Sequence, residues 1–398
     1  MARYFPILCL ALMHGLVDAV AMFIEPLWPE LRQTFRLSQA ELFLLLSITS
    51  VAPNFSQLLF GYVQDRYGSR YLLWLGPAVA AVCLSAIGLA STPVTLGLLL
   101  VVGSIGVGSF HPEGAVSASL ALVDERTRGL SLFMVGGTAG LALGPMLSGN
   151  LVKAFGLPAL IWLAVPAIGI VVLVQWFQRR VAGKVKSAVP ADHVRHAPQV
   201  GSRWKLALLL LAVCSLRVVP NTGLTKALAF TLEARGFEAN VIGNMQSLFL
   251  VSGSLGMLLV GSWFGRGFER WMMIVSPLAS IPPLLGLAAP ECPTWLILVL
   301  LIPAGVILIG TTPAMVSYAH QLFPRDAGMA SALTMGLSWG ISGLVVAELI
   351  SWTVDHAGRP ALLFVTFVPS LLLSAAGALA LPKTNAPPTS VLTPETTY

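Results

Sequence analysis

An all-α membrane protein of twelve transmembrane helices, arranged as two six-helix halves, is the architecture this chain predicts. Three observations predict it. First, of 398 residues 56% are hydrophobic and only 10% charged, and the mean hydropathy is +0.83. A soluble domain carries about 25% charge, so this chain has too little polar surface to cover a globule in water. Second, apolar runs long enough to cross a hydrocarbon core of ~30 Å, about 20 residues each, recur between short charged loops. Third, the two halves repeat each other at an offset near 200: "GYVQDRYGSR" begins at Gly61 and "GSWFGRGFER" at Gly261.

The spans follow in order. They are predicted at 5–31, 39–63, 71–91, 93–122, 128–154, 158–178, 204–232, 239–264, 271–289, 294–320, 328–354 and 360–381. The first is read as a retained span and not a signal peptide. His14 and Asp18 interrupt its apolar region, and no small-residue cleavage site follows cleanly. The sequence therefore divides into an N-terminal half (1–178), a basic, Pro- and Gly-containing linker (179–203), a C-terminal half (204–381) and a tail (382–398) that reads as disordered. With both termini in the cytoplasm, 16 lysines and arginines fall on the cytoplasmic side and 5 on the other. Cytoplasmic loops of membrane proteins carry such an excess. The same asymmetry accounts for a pI of 9.4 without nucleic acid.

Four widely spaced cysteines suggest neither a disulfide framework nor a metal-ligand spacing. Trp28, Trp204, Trp271, Trp295 and Trp352 stand near span ends, where indoles favour the membrane interface. "GSIGVGSF" has a loose glycine pattern, but it follows no strand and precedes no Lys-Ser/Thr pair. ATP hydrolysis is not expected, nor is a bound cofactor, nor a metal-binding His/Cys cluster. Further repeats support the two halves: Pro112 maps close to Pro313, and Gly136 and Gly140 map onto Gly336 and Gly340. Internal repeats of this kind mark secondary transporters, with the binding site near the midplane between halves.

Between spans two and three, "GYVQDRYGSR" resembles the signature loop of the major facilitator superfamily. The residues are Gly61, Asp65, Arg66, Gly68 and Arg70. Asp65 can accept N–H groups at a helix N-terminus, and Arg70 can reach a carboxylate such as Asp124. The resemblance implies a latch that holds the outward-open state. In the second copy Gly265 stands in place of the acid. "GLALGPMLSG" on span five resembles the family's antiporter motif through Gly140, Gly144, Pro145 and Gly149, with Ser148 replacing one glycine. Small residues four apart let helices approach closely. "SFHPEG" on span four, "HGLVDAV" on span one and "VGGTAGLALGP" on span five look like the fosmidomycin resistance subgroup, which uses the proton gradient to expel drugs. Span four departs from a generic drug antiporter: it carries Val102 where an arginine is usual.

The candidate chemistry lies in spans one, four and seven. His111, Pro112 and Glu113 follow one another in a mostly apolar run, and Pro112 cannot donate to the carbonyl of Gly108. An ionised side chain at the bilayer centre costs about 2.5–3.5 kcal/mol on insertion scales, so such groups normally face a wet cavity. His14 and Asp18 are four apart and share a helical face. Asp18 and Glu113 are expected to handle the proton, with His14 or His111 as relays. A static Asp18–His14 bond is the structural alternative. Arg217 sits near mid-membrane in span seven, with Asn221 on its face. It suits a phosphonate or carboxylate, or it is a buried partner for Asp18 or Glu113. Asp18 and His111 complete the expected substrate contacts. Lys226 is left outside the site, snorkelling or paired with Glu25 or Glu348.

The function expected is proton-coupled export of a small anionic or amphipathic compound by alternating access. It would occur in a bacterial inner membrane, by a protein expected to be a monomer and not an enzyme. Its partners are the substrate, protons and the lipid bilayer, with no nucleic acid and no nucleotide. An uptake symporter for an organic anion or sugar is the first alternative, and a non-transporting membrane sensor the second.

Overall fold

The computed structural model describes residues 4–67, 71–121, 126–182, 203–263, 268–323 and 327–383. Regular structure among them is helical throughout, with no strand. Twelve segments are long and apolar enough to cross a membrane: α1 (Phe5–Phe35), α2 (Gln39–Gly61), α3 (Leu72–Leu89), α4 (Pro93–Ala115), α5 (Leu132–Phe155), α6 (Leu157–Trp176), α7 (Trp204–Glu233), α8 (Ala239–Val260), α9 (Glu269–Leu287), α10 (Thr294–Leu322), α11 (Met329–His356) and α12 (Leu362–Ala380). An even number of crossings leaves both chain ends on one face, here called the terminus face. The helix of α6 runs on to Ala182, into the stretch read as linker. Residues 183–202 and 384–398 lie outside the described residues.

Several spans are less regular than their hydropathy suggested, and the causes are local. The helix of α1 stops at Ala21; a 3₁₀ turn follows at Glu25–Leu27, and a second helix runs Trp28–Phe35. Pro26 and Pro29 lack the N–H that would continue the ladder. In α10 the helix ends at Leu308 and restarts at Thr312, with Pro313 in the first turn of the new piece. Pro112, its counterpart in the repeat, sits inside an unbroken helix, Pro93–Ala121. In α11 two π-helical stretches, Ala332–Leu337 and Thr353–Ala357, flank an ordinary helix.

Small residues set the packing. A Cβ at Gly140 would run into the carbonyl of Gly15, and one at Gly144 into that of Ala19, so α5 lies backbone-to-backbone on α1. Further along α5 the partner changes. Gly149 meets the carbonyl of Ala239, and Gly243 meets that of Pro145, so α5 also joins α8 across the two halves. Gly343 of α11 packs on Ser50 of α2 in the second cross-half seam. Large apolar side chains such as Leu59, Leu98, Val165, Leu258 and Leu373 point outward, as a lipid-facing surface requires. Trp204, Trp271, Trp295 and Trp352 are exposed near span ends. Trp28 is not: it is fully buried beneath the kink of α1, which corrects its placement in the interfacial belt.

Candidate functional site

Spans α1 and α4 bring together three of the residues singled out in the sequence. One carboxylate oxygen of Asp18 lies 3.3 Å from His14 Nε2, and the other lies 3.1 Å from His111 Nε2. The far side of each imidazole is already committed. His14 Nδ1 is 2.8 Å from the carbonyl of Phe133, and His111 Nδ1 is 2.8 Å from that of Val107. A carbonyl only accepts, so each Nδ1 carries the hydrogen and donates it. A neutral ring then presents its Nε2 lone pair to Asp18. Two lone pairs and two carboxylate oxygens face one another, and this arrangement needs positive charge between them.

The surroundings hold the rings in place. His14 stacks on Phe133, centroids 4.0 Å apart, and meets His111 edge-on at 5.1 Å. Gly137 of α5 leaves the room: a Cβ there would stand 2.6 Å from His14 Nε2 and 2.7 Å from Asp18 Oδ2. The side chains of His14 and Asp18 are 5% and 11% exposed, and that of His111 is 23% exposed, so His111 is the most exposed member. Glu113 is buried as well, but its Oε1 accepts from Ser117 one turn along α4 at 3.0 Å. The carboxylate of Asp18 is thus flanked by two histidines, one on each oxygen. Sequence spacing offered no metal-ligating cluster, yet three such side chains converge here. The ligand atoms of His14, Asp18 and His111 all lie within 4.8 Å of one another, a convergence that sequence separation hides.

Arg217 occupies the other half. It is 2% exposed, and its Nη2 donates to Thr311 Oγ1, to Ser276 Oγ at 3.3 Å and to the Leu308 carbonyl at 3.5 Å. Asn221 donates to the same carbonyl at 2.9 Å. Asp18 bonds to α1 and α4, and Arg217 to α9 and α10. Among the described residues no ion pair joins Arg217 to a carboxylate, so the expected Asp18–Arg217 or Glu113–Arg217 partnership is replaced by hydroxyl and carbonyl ligands. The break in α10 supplies both Thr311 and the freed carbonyl of Leu308. No sequence motif marked Thr311 or Ser276. Their only signal was the repeat, since Thr311 stands 200 positions after His111.

A third group closes the face opposite the termini. Glu25 accepts from Lys226 Nζ at 2.7 Å and from Thr225 Oγ1 at 2.6 Å, all buried, joining α1 to α7. Lys226 is therefore paired with Glu25, one of the two partners considered for it. Gln33 donates to Glu233, Arg32 pairs with Asp355, Lys153 pairs with Glu238, and Asn150 donates to Asn244. Glu25–Thr225 and Gln33–Glu233 each join residues separated by 200. Residues at the repeat offset can touch only on the axis that relates the halves, so the axis passes between α1 and α7. A cleft of about 280 Å³ lies on this face, lined by Pro26, Glu30, Gln33, Lys153, Glu233 and Glu238; it does not reach His14, Asp18 or His111.

Of the signature loop, Gly61 is within the described helix and faces Pro112 of α4. The side chains of Asp65 and Arg66, and all of Gly68, Arg70 and Asp124, lie outside the described residues. Arg270, at the position of Arg70 in the second half, donates to the carbonyls of Leu379 and Leu381 at the end of α12. In the antiporter-like segment, Gly140 and Gly144 seat α1, while Pro145 and Gly149 seat α8.

Comparison with known proteins adds to this geometry. The model of the Major Facilitator Superfamily matches residues 8–222. The chain is 26% identical over 377 residues to the MFS-type transporter YfnC of Bacillus subtilis, covering 92% of this chain and 91% of that one. It is 27% identical over 362 residues to the fosmidomycin resistance protein of Escherichia coli, covering 87% and 86%. Among solved structures, a bacterial homologue of the human lysosomal transporter Spinster, in an inward-facing and occupied conformation, superposes with a TM-score of 0.72. Its sequence identity is 16%, and the match covers 96% of this chain and 97% of that one.

Proposed function

The chain belongs to the Major Facilitator Superfamily, and on that premise we propose that it is a proton-coupled antiporter exporting a small anionic or amphipathic compound from a bacterial cell. The observation that carries the reading is Asp18, buried in α1 with a histidine Nε2 on each carboxylate oxygen. Protons are the simplest positive charges to fill that space. His111, the exposed member, passes them between water and Asp18. Similarity to the fosmidomycin resistance protein across most of both chains supports export. Arg217, a buried cation with no acidic partner among the described residues, is the charge that favours an anionic cargo, with Asn221 beside it.

The cycle follows from the two faces. With both termini in the cytoplasm, the face closed by Glu25–Lys226 and its neighbours is the outer one, and the cargo site is reached from inside. Cargo binding and proton loss to the cytoplasm let the outer seam part; protons from outside then return the protein after release. The seam of α5 with α1 and α8 hinges this motion. One charge crossing 100 mV is worth about 2.3 kcal/mol, enough for roughly fifty-fold accumulation. The unit that works is the monomer, and its action is transport and not catalysis.

Everted vesicles test the proposal, with radiolabelled fosmidomycin as the first probe and other phosphonates and carboxylates as the panel. Acidifying the lumen by respiration drives accumulation of a transported compound, and Asp18→Asn abolishes it. Loss of preloaded probe on acidification would identify an uptake symporter and overturn the antiport reading.

A further inference from the structure

The same three side chains meet the requirements of a metal site, which goes beyond proton handling. We infer that His14, Asp18 and His111 bind one divalent transition-metal cation of the zinc and cobalt class. Ligand atoms bound to a tetrahedral zinc at ~2.0–2.1 Å stand about 3.3 Å from one another. His14 Nε2 stands 3.3 Å from one Asp18 oxygen and His111 Nε2 3.1 Å from the other, near that spacing, and one ligand atom from each residue lies within 4.8 Å of the other two.

Both imidazoles are set up as ligands. A metal-bound histidine donates its other ring N–H to a carbonyl, carboxylate or water, which fixes the tautomer and aims the lone pair. His14 does this with Phe133, and His111 with Val107. With the Nδ1 hydrogens held by the carbonyls, a ring can donate from Nε2 to Asp18 only when it is protonated; a neutral ring offers a lone pair, which a metal ion can take. Two imidazoles and one carboxylate suit zinc, cobalt, nickel or copper, whereas magnesium and calcium favour all-oxygen shells. Gly137 keeps the space beside His14 Nε2 and Asp18 Oδ2 free of side chain. His111, 23% exposed, gives the ion and its remaining ligand a route from water. Among the described residues, the titratable groups that converge at the site are these three. The neighbouring faces contribute Phe110 from α4 and Phe133 and Gly137 from α5, none of which titrates.

Cobalt(II) is the probe, added to detergent-purified protein that carries no polyhistidine tag. The expected result is one Co²⁺ per chain with a tetrahedral visible spectrum, displaced by Zn²⁺ and weakened as pH falls, because the ligands must be deprotonated. Asp18→Asn and His111→Gln each lower affinity by about 100-fold or more, since loss of outer-shell partners alone costs 10–100-fold. His356→Gln, at an exposed ring stacked on Trp352, leaves binding unchanged. X-ray absorption of the Zn²⁺-loaded wild type needs no variant and shows two imidazole nitrogens. Binding that survives both substitutions, or an absorption spectrum without imidazole, overturns the inference. No proton gradient enters the assay, so its outcome is independent of the direction of transport.

Discussion

The two halves place different chemistry at one position of the repeat. In the first, α1 meets α4 through Asp18 and His111. In the second, α7 meets α10 through Arg217 and Thr311. His111 and Thr311 are 200 positions apart, and Asp18 and Arg217 are within one residue of that offset. The backbone scaffold is common and the side chains are not. One half holds a carboxylate between two titratable rings; the other holds a permanent cation bonded to hydroxyls and a broken helix. On the proposed function this difference is a division of labour: exchangeable cations belong to the first half, and the fixed charge for an anionic cargo belongs to the second.

The largest expected effect breaks that division directly. Asp18→Asn reduces gradient-driven transport in everted vesicles to the level of vesicles lacking the protein, while cargo binding in detergent persists. Arg217→Ala does the reverse. It weakens binding of an anionic cargo by about 30-fold or more, as expected for removing a desolvated charge from its partner, and leaves the titration of the histidines in place. If both variants lose the same property, the halves do not divide the work.

Next in size is the seam on the axis. Removing one partner of a buried ion pair costs about 3–5 kcal/mol, because the other charge is stranded. Lys226→Met therefore destabilises the closed face opposite the termini and increases labelling, from that side, of cysteines introduced along α1 and α7. Glu25→Gln added to Lys226→Met restores much of the closure. A double variant as open as the single one would show that the pair is not the closing contact.

The glycines sharpen the contrast at smaller cost. Gly140 and Gly340 are repeat counterparts, yet a Cβ at Gly140 collides with the backbone of Gly15, whereas one at Gly340 rests 3.5 Å from the Phe55 ring. Gly140→Ala lowers stability by about 1–3 kcal/mol, the usual range for overpacking, read as a lower thermal midpoint in detergent; Gly340→Ala leaves the midpoint nearly unchanged. The smallest effect is at Lys153, whose pair with Glu238 is about half exposed. Lys153→Ala changes stability by less than about 1 kcal/mol.

Much of the fold was legible in the chain because the bilayer imposes a simple length rule. All twelve spans stand within a few residues of their expected places. What hydropathy could not show was continuity: α1 and α10 stay apolar through breaks caused by Pro26, Pro29 and Pro313. At the site, His14, Asp18 and His111 were each conspicuous as polar groups in apolar runs. Their meeting was not, because it depends on how α1 and α4 are rotated against each other, which their nearly uniform apolar faces leave unspecified. Arg217 stood out as a charge, but its ligands are hydroxyls and a carbonyl, residue types that carry no signal of their own. Trp28 was misplaced because nearness to a span end says nothing about which way the indole points.

The proposed function depends on Asp18 facing the Nε2 atoms of two histidines whose Nδ1 hydrogens are already donated. Nitrogen-15 NMR of histidine-labelled protein in detergent reads this directly. At about pH 8 the wild type is predicted to carry a hydrogen on Nδ1 of both rings, assigned by their loss in His14→Gln and His111→Gln. If both rings instead carry the hydrogen on Nε2, Asp18 has donors of its own and needs no added cation, and the account fails.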